Sequence, residues 1–224
     1  MGDLVVRMVD DPRDIMRARR LHGSRYLDAG FVTDLDPGGV IDDEFVDVSD
    51  YFAAFDGAGA VVGTFRLIPA AKADLPILTD FELDAEAAEL FAFLEPWALA
   101  EMSALAVARS SRARGGEVAR ALYRAVFHHS LVVAGYSHVA AVMDVRVARH
   151  IARLHGSHFT PVGPSRHYMG SPTVPMVLDL HRQLRHYVTT PSADSDFFLD
   201  GLVIDLRDDR FDVALGSAER RRIS

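Results

Sequence analysis

Residues 99–120 read LAEMSALAVARSSRARGGEVAR. Leu99–Ala108 is almost continuously apolar and can be a strand or a helix; composition alone does not separate the two. SSRARGG then interrupts the run with serines, glycines and arginines. From there apolar residues recur at Val118, Leu122, Val126 and Leu131, the spacing of an amphipathic helix. A glycine-containing loop that opens a helix leaves backbone N–H groups without helical partners, with the positive end of the helix dipole behind them. Such a place suits a phosphate, and Arg109, Arg112 and Arg114 add charge. The same residues also read as a solvated basic turn ahead of a surface helix. Glu101 stands inside the apolar run. A carboxylate there is costly unless it is paired or faces a cleft, and such surroundings raise its pKa toward that of a general base. The alternative is a Glu on the open face of a sheet.

Towards the N-terminus, two strand-like runs, 49–56 and 60–69, are joined by Gly57-Ala58-Gly59, a hairpin signal. Arg66 lies in the second run among Val61, Val62, Phe65, Leu67 and Ile68, and so needs an acidic partner. Asp43 and Asp47 in the preceding loop are candidates, as a plain salt bridge or as part of a charged pocket lining. That loop, residues 30–48, is long and rich in acids, and long loops in compact domains usually carry function. Before it come a strand at 3–8 and a helix at 12–28 with Ile15, Met16, Leu21 and Tyr26 as its apolar side. Towards the C-terminus a helix at 84–94, a strand at 138–144, a helix at 145–156 closed by Gly156, and strands at 159–163 and 174–180 are expected. Residues 188–224 are polar apart from 197–206, and are expected to form a partly disordered appendage to a 1–187 domain. The order is mixed α/β, not strictly alternating βαβ units, and no G-x-G-x-x-G follows the first strand.

Composition narrows the function. The 224 residues are 49% hydrophobic and 25% charged, ordinary for a globular protein. No run is long and apolar enough to span a membrane. The net charge of −8 argues against a nucleic-acid binder. The absence of cysteine removes disulfides, thiolate catalysis and zinc fingers. No secretory signal is evident, so a cytoplasmic location is expected. The histidines suggest no metal: His155 and His158 straddle Gly156, adjacent His128 and His129 point apart on a helix, and no H-E-x-x-H occurs. No G-x-S-x-G nucleophile elbow is present.

Several of these segments together resemble one family. Arg20 with Tyr26 and Gly30-Phe31, Asp43-Glu44-Phe45 with Asp47, Val61–Pro69, Phe81, Glu101–Val107, Gly163-Pro164 and Val174-Pro175 are similar to the motifs of acyl-homoserine-lactone (autoinducer) synthases and N-acyl amino acid synthases. Both are branches of the GNAT acyltransferase superfamily. The likeness spans about residues 12–180. Ala104 stands where the family usually carries Arg, and Glu117 stands where the GNAT phosphate loop has a small residue.

The resemblance implies a GNAT-like α/β fold, with a mixed, mostly antiparallel central sheet flanked by helices. It implies an amide-forming N-acyltransferase that moves an acyl chain from acyl carrier protein or acyl-CoA to an amino acid or similar small-molecule amine, with no tightly bound cofactor. A backbone amide near Val107 would polarise the thioester. Arg112, Gly115 and Gly116 would hold the pantetheine phosphate, and Glu101 would deprotonate the amine. Arg20, Asp43, Asp47, Arg66, Phe81 and Ser103 would seat the acceptor and brace the acyl pocket. Acyl carrier protein, itself acidic, would dock on Arg109, Arg112, Arg114, Arg120 and Arg124. An acetyl-CoA-dependent acetyltransferase and an inactive GNAT-like binding module are the alternatives.

Overall fold

The computed structural model describes residues 4–207 and 210–216; the side chains of residues 112–114, 153–155 and 205–212 lie outside the described set. Strand β1 (Val5–Val9) leads into helix α1 (Pro12–Ala29). The Asp11 side chain accepts from the Arg13 N–H to cap α1, and Gly30 ends it at φ 74°, a left-handed conformation that glycine adopts without strain. After the long loop come β2 (Asp50–Phe55) and β3 (Val61–Pro69), the expected hairpin. The one-turn helix α2 (Pro76–Thr79), helix α3 (Ala85–Phe93) and β4 (Leu99–Val107) follow. Helix α4 (Gly115–His128) runs into a π turn, His129–Val133, with β5 (His138–Asp144) and α5 (Val145–His155) next. Gly156 closes α5 at φ 57° as expected. The short strands β6 (Thr160–Pro161) and β7 (Arg166–Tyr168) precede β8 (Ser171–Asp179).

These strands form one eight-stranded sheet in the order β1-β2-β3-β4-β5-β8-β6, with β7 also on β8. Every pairing is antiparallel except β4 with β5. The mixed, mostly antiparallel sheet flanked by helices is the expected fold. The 99–108 run resolves as strand because both of its faces are covered: Ala100 and Met102 belong to a core with Phe52, Leu122 and Leu184, while Leu99 packs on the other side with Ile68 and Ile77. Helix α4 lies directly on β3. A Cβ at Gly63 would sit 2.5 Å from Val118 Cγ1 and 2.9 Å from Leu122 Cδ1, so glycine sets how closely helix and sheet approach.

The C-terminal part differs from a loose appendage. Helix α6 (Leu180–Thr189) crosses position 187, capped by Asp179, whose carboxylate accepts from the Arg182 N–H. Leu180, Leu184 and Tyr187 repeat at helical spacing and are buried. Helix α7 (Ala193–Leu199) adds Phe198, 3% exposed, to the main core, where it stacks on Tyr187 at 5.1 Å. A two-stranded hairpin, β9 (Leu202–Arg207) with β10 (Arg210–Leu215), completes the described chain. Among the described residues no helix is long and apolar enough to cross a membrane.

Candidate active site

Strands β4 and β5 run together only from Leu99 opposite His138 to Met102 opposite Ala141; beyond that point they are not paired. The cause lies one strand over. Between Thr64–Ala106 and Arg66–Ser103, β4 holds one residue more than β3, and Ala104 within that step has φ 56°. An extra residue bends its strand and increases the local twist, which carries the C-terminal half of β4 away from β5. Gly63 and Val107 face each other in register, with Ala108 N–H donating to Val62 O at 2.9 Å. That is the non-hydrogen-bonded type of antiparallel pair, so the Val107 amide points away from β3, towards the side β5 has left.

A cavity of about 350 Å³ opens at the parting, of a size that holds a small molecule. Asp43, Arg66, Glu101 and Ser103 all line it. Arg66 Nη1 donates to both Asp43 oxygens, at 2.9 and 2.8 Å, and Nη2 donates to Ser103 Oγ at 3.2 Å. The Asp43 carboxylate also accepts from Phe45 N–H at 3.0 Å, which fixes the loop tip. Burial works against charge on Arg66, but Asp43 and, after it, Tyr51 together offset it and the guanidinium is held above its usual pKa.

Glu101 is 1% exposed. Its Oε2 accepts from the Ile77 N–H of α2 at 2.8 Å. Burial pushes its carboxyl up to about 8, against the opposing pull of the Ile77 bond and the Arg66 charge. A carboxyl with such a pKa, facing a cavity, can take and return a proton near neutral pH.

The other expected residues lie elsewhere. Arg20 is exposed, with Nε donating to Gly38 O at 2.9 Å. It is six residues from Tyr26 and so on a different side of α1, whereas His22 is one turn away and shares the cavity-lining face with Tyr26. Asp47 is exposed: the chain turns after Asp43, with Val48 N–H donating to Phe45 O at 3.4 Å, and leaves it outside the cluster. Phe81 is buried behind the cavity wall, 5.1 Å from Tyr168, which does line it. Gly115 and Gly116 open α4, and a Cβ at Gly116 would meet nothing within 4 Å. The side chains of Arg112 and Arg114 lie outside the described residues. Arg120 and Arg124 are engaged by α7 and the residue after it. Arg120 pairs with Asp194 at 2.6 Å, Arg124 with Asp200 at 3.1 Å, and both lie over the Phe197 ring. Arg109 pairs with Asp28 at 2.9 Å. Arg120 and Arg124 of α4, and Arg109 ahead of it, are therefore already paired with the chain's own acids. Sequence reasoning missed His22, Tyr123 and Tyr168 as lining residues; the four-residue step from His22 to Tyr26 was the one available signal. Among the described residues no group of His, Asp and Glu has the arrangement of a metal site.

A mostly antiparallel sheet whose one parallel pair parts beside a buried acid defines a GNAT-like acyltransferase. The chain belongs to the FeeM family of N-acyl amino acid synthases, whose description matches residues 17–180. The solved structure of FeeM, an N-acyl amino acid synthase from uncultured soil microbes, is 21% identical and superposes with a TM-score of 0.63 over 83% of this chain and 95% of that one. The acyl-homoserine-lactone synthase LasI is 16% identical, with a TM-score of 0.67 over 93% of this chain and 100% of that one. BjaI, a CoA-dependent acyl-homoserine lactone synthase solved with SAM and isopentyl-CoA, is 21% identical, with a TM-score of 0.66 over 86% and 97%. At these identities the likeness establishes a shared fold. Comparison with curated protein sequences returns no match. The chain is an amide-forming N-acyltransferase.

Proposed function

We propose that this N-acyltransferase moves an acyl chain from acyl carrier protein or acyl-CoA to the amine of an amino acid or similar small molecule in the cytoplasm. The observation that carries the reading is the parting of β4 and β5 beside buried Glu101, inside a cavity that also holds the Arg66–Asp43 pair.

In this scheme the pantetheine limb lies along the unpaired edge of β4, and the Val107 amide, aimed at that edge, donates to it or to the thioester carbonyl. Gly115 and Gly116 leave the start of α4 open to the phosphate, with Arg112 beside them in sequence. The acceptor amine attacks the thioester carbon. The C–N bond forms, the C–S bond breaks, and the amine proton passes to the Glu101 carboxylate while the thiolate leaves and is protonated from solvent. Arg66, fixed by Asp43 and Ser103, supplies a rigid wall against which the acceptor is positioned. Phe81 acts through Tyr168 as a brace. Arg20 tethers the 30–48 loop through its bond to Gly38 O.

The test offers purified protein a panel of acyl carrier protein and CoA thioesters with amino acids, reading thiol release and new acyl-amines by mass spectrometry. A new amide with one donor class supports the reading and fixes the donor. Thiol release without amide, or no turnover of any thioester longer than acetyl, removes it.

A further inference from the structure

Helix α2 is a single turn, yet it holds the buried base: its Ile77 N–H donates to Glu101 Oε2 at 2.8 Å. One side of the turn is fixed by the core, through fully buried Leu75 and Ile77. The other side ends at Asp80, whose N–H closes the turn on Pro76 O at 2.9 Å. Asp80 is exposed, and β7 holds it by polar bonds. Tyr168 Oη donates to Asp80 Oδ2 at 3.1 Å, and the Arg166 side chain donates to Asp80 O.

Tyr168 is built as an anchor. It pairs with Ser171 across the turn Met169-Gly170, whose φ values are 44° and 78°. Positive φ at both central residues is the tight hairpin turn whose twist matches that of its strands, so the last residue of β7 has a defined direction. The ring packs against Phe81 at 5.1 Å, and the Arg166 guanidinium lies 5.0 Å from the Phe81 ring centre and 5.3 Å from that of Tyr168. Tyr168 also lines the cavity, as does Pro76 of α2. One side chain therefore borders the substrate space and ties down the turn that carries the hydrogen bond to the base.

We infer that Tyr168 is a positioning residue: its hydroxyl, acting through Asp80 and the α2 turn, holds the Ile77 N–H on the Glu101 carboxylate. The inference rests on Glu101 as the base of the acyl transfer proposed above and adds what aligns it.

The groups facing Glu101 give the arrangement a sign. Burial raises its carboxyl most; the Ile77 bond and then the Arg66 charge pull the other way, while the Asp80 charge adds to the rise. Tyr168 of β7 faces it too, but burial and then the Asp80 bond push that hydroxyl up to about 12, so it keeps its proton near neutral pH. Opposite Glu101 on β3 and β5 stand Ile68 and Ala140, neither titratable. His22, Asp43 and Asp144 line the same cavity. Loosening α2 weakens the Ile77 bond and raises the carboxyl pKa further. Removing the Asp80 charge while keeping an oxygen for Tyr168 lowers it.

The test is a carbon-13 NMR titration of the Glu side-chain carboxyls in the full chain, with the Glu101 signal identified by its loss in Glu101→Gln. The unaltered protein is expected to titrate at about 8. Tyr168→Phe keeps the ring and removes the donor. It should raise the midpoint by about half a unit to one unit, the net worth of one hydrogen bond. Amide exchange at Ile77 should quicken by about 3- to 10-fold, and transfer at pH 7 should slow by a similar factor with the high-pH plateau little changed. Asp80→Asn, which still accepts from Tyr168, should move the midpoint down and leave Ile77 exchange as it was. Opposite movements are what a merely structural tie would not give. A midpoint and an Ile77 exchange rate unmoved by Tyr168→Phe, or midpoints moved the same way by both variants, would overturn the inference. The expected shifts in a chain that transfers no acyl group remove the acyl-transfer reading alone. Transfer whose pH limb ignores Tyr168 removes this inference alone.

Discussion

Replacing Glu101 by Gln separates the proton carrier from the shape of the site. Gln has nearly the same volume, and its side-chain oxygen can still accept from Ile77 N–H, where Glu101 now accepts at 2.8 Å. What is lost is the ionisable group. A positioned general base contributes about 10²- to 10⁴-fold, so the acyl-transfer rate should fall by that range with the donor KM little changed. In the unaltered protein the carboxyl sits at about 8 instead of 4.5, so about 10% is ionised at pH 7. The rate should therefore climb through pH 7 and level off above pH 8. Stability runs the other way. A carboxyl whose pKa is raised on folding favours the folded state fully below about pH 4.5 and loses that contribution as pH rises through 8. Across pH 5 to 7 the shift amounts to a loss of about 2–3 kcal/mol. The Gln variant lacks this loss, so its denaturant midpoint should fall less with pH than that of the unaltered chain. Chemical denaturation at pH 5, 6, 7 and 8 for both proteins, with thiol-release kinetics alongside, makes the comparison. Parallel stability curves, or a variant within threefold of full activity, would refute the burial argument and the base assignment respectively.

Asp43→Asn leaves Arg66, 5% exposed, as a buried charge without its counter-ion. The expected cost is about 2–4 kcal/mol, read by urea denaturation, with loss of transfer activity as the cavity wall loosens. Gly63→Ala forces α4 off β3, because the new Cβ meets the stiff Val118 side chain at 2.5 Å. About 1–3 kcal/mol should be lost, or about 2–4 °C of Tm per kcal/mol for a chain of this size. Phe198→Ala should cost about 3–5 kcal/mol. A chain cut after residue 187 should show a broadened or absent unfolding transition by calorimetry, whereas a dispensable appendage would leave both proteins unchanged.

Much of the architecture is legible in the residues. Alternating and helical spacings in 49–69, 117–131 and 145–156 mark their elements because burial on one face imposes a local period that needs no knowledge of partners. The pairing of Arg66 with an acid of the preceding loop is legible too, since a guanidinium in an apolar strand must be neutralised. The 99–108 run was ambiguous because covering a strand on both faces erases its alternation. The C-terminal helices leave little trace in the sequence because α7 is short and its burial depends on Tyr187 of the preceding helix and on Phe127, far away in the chain.

The mixed α/β class, the hairpin and the need for a buried partner to Arg66 are written in the residues alone, since each follows from neighbours along the chain. It takes the folded chain to show that β4 and β5 part after Met102, that Glu101 is buried at the cavity, that His22 and not Arg20 lines it, and that α7 covers Arg120 and Arg124 of α4. The physical reason is that these depend on register and contact between segments distant in sequence. The extra β4 residue is visible only once β3 lies beside it, and a helical side chain gains a direction only when the helix has been laid against a sheet.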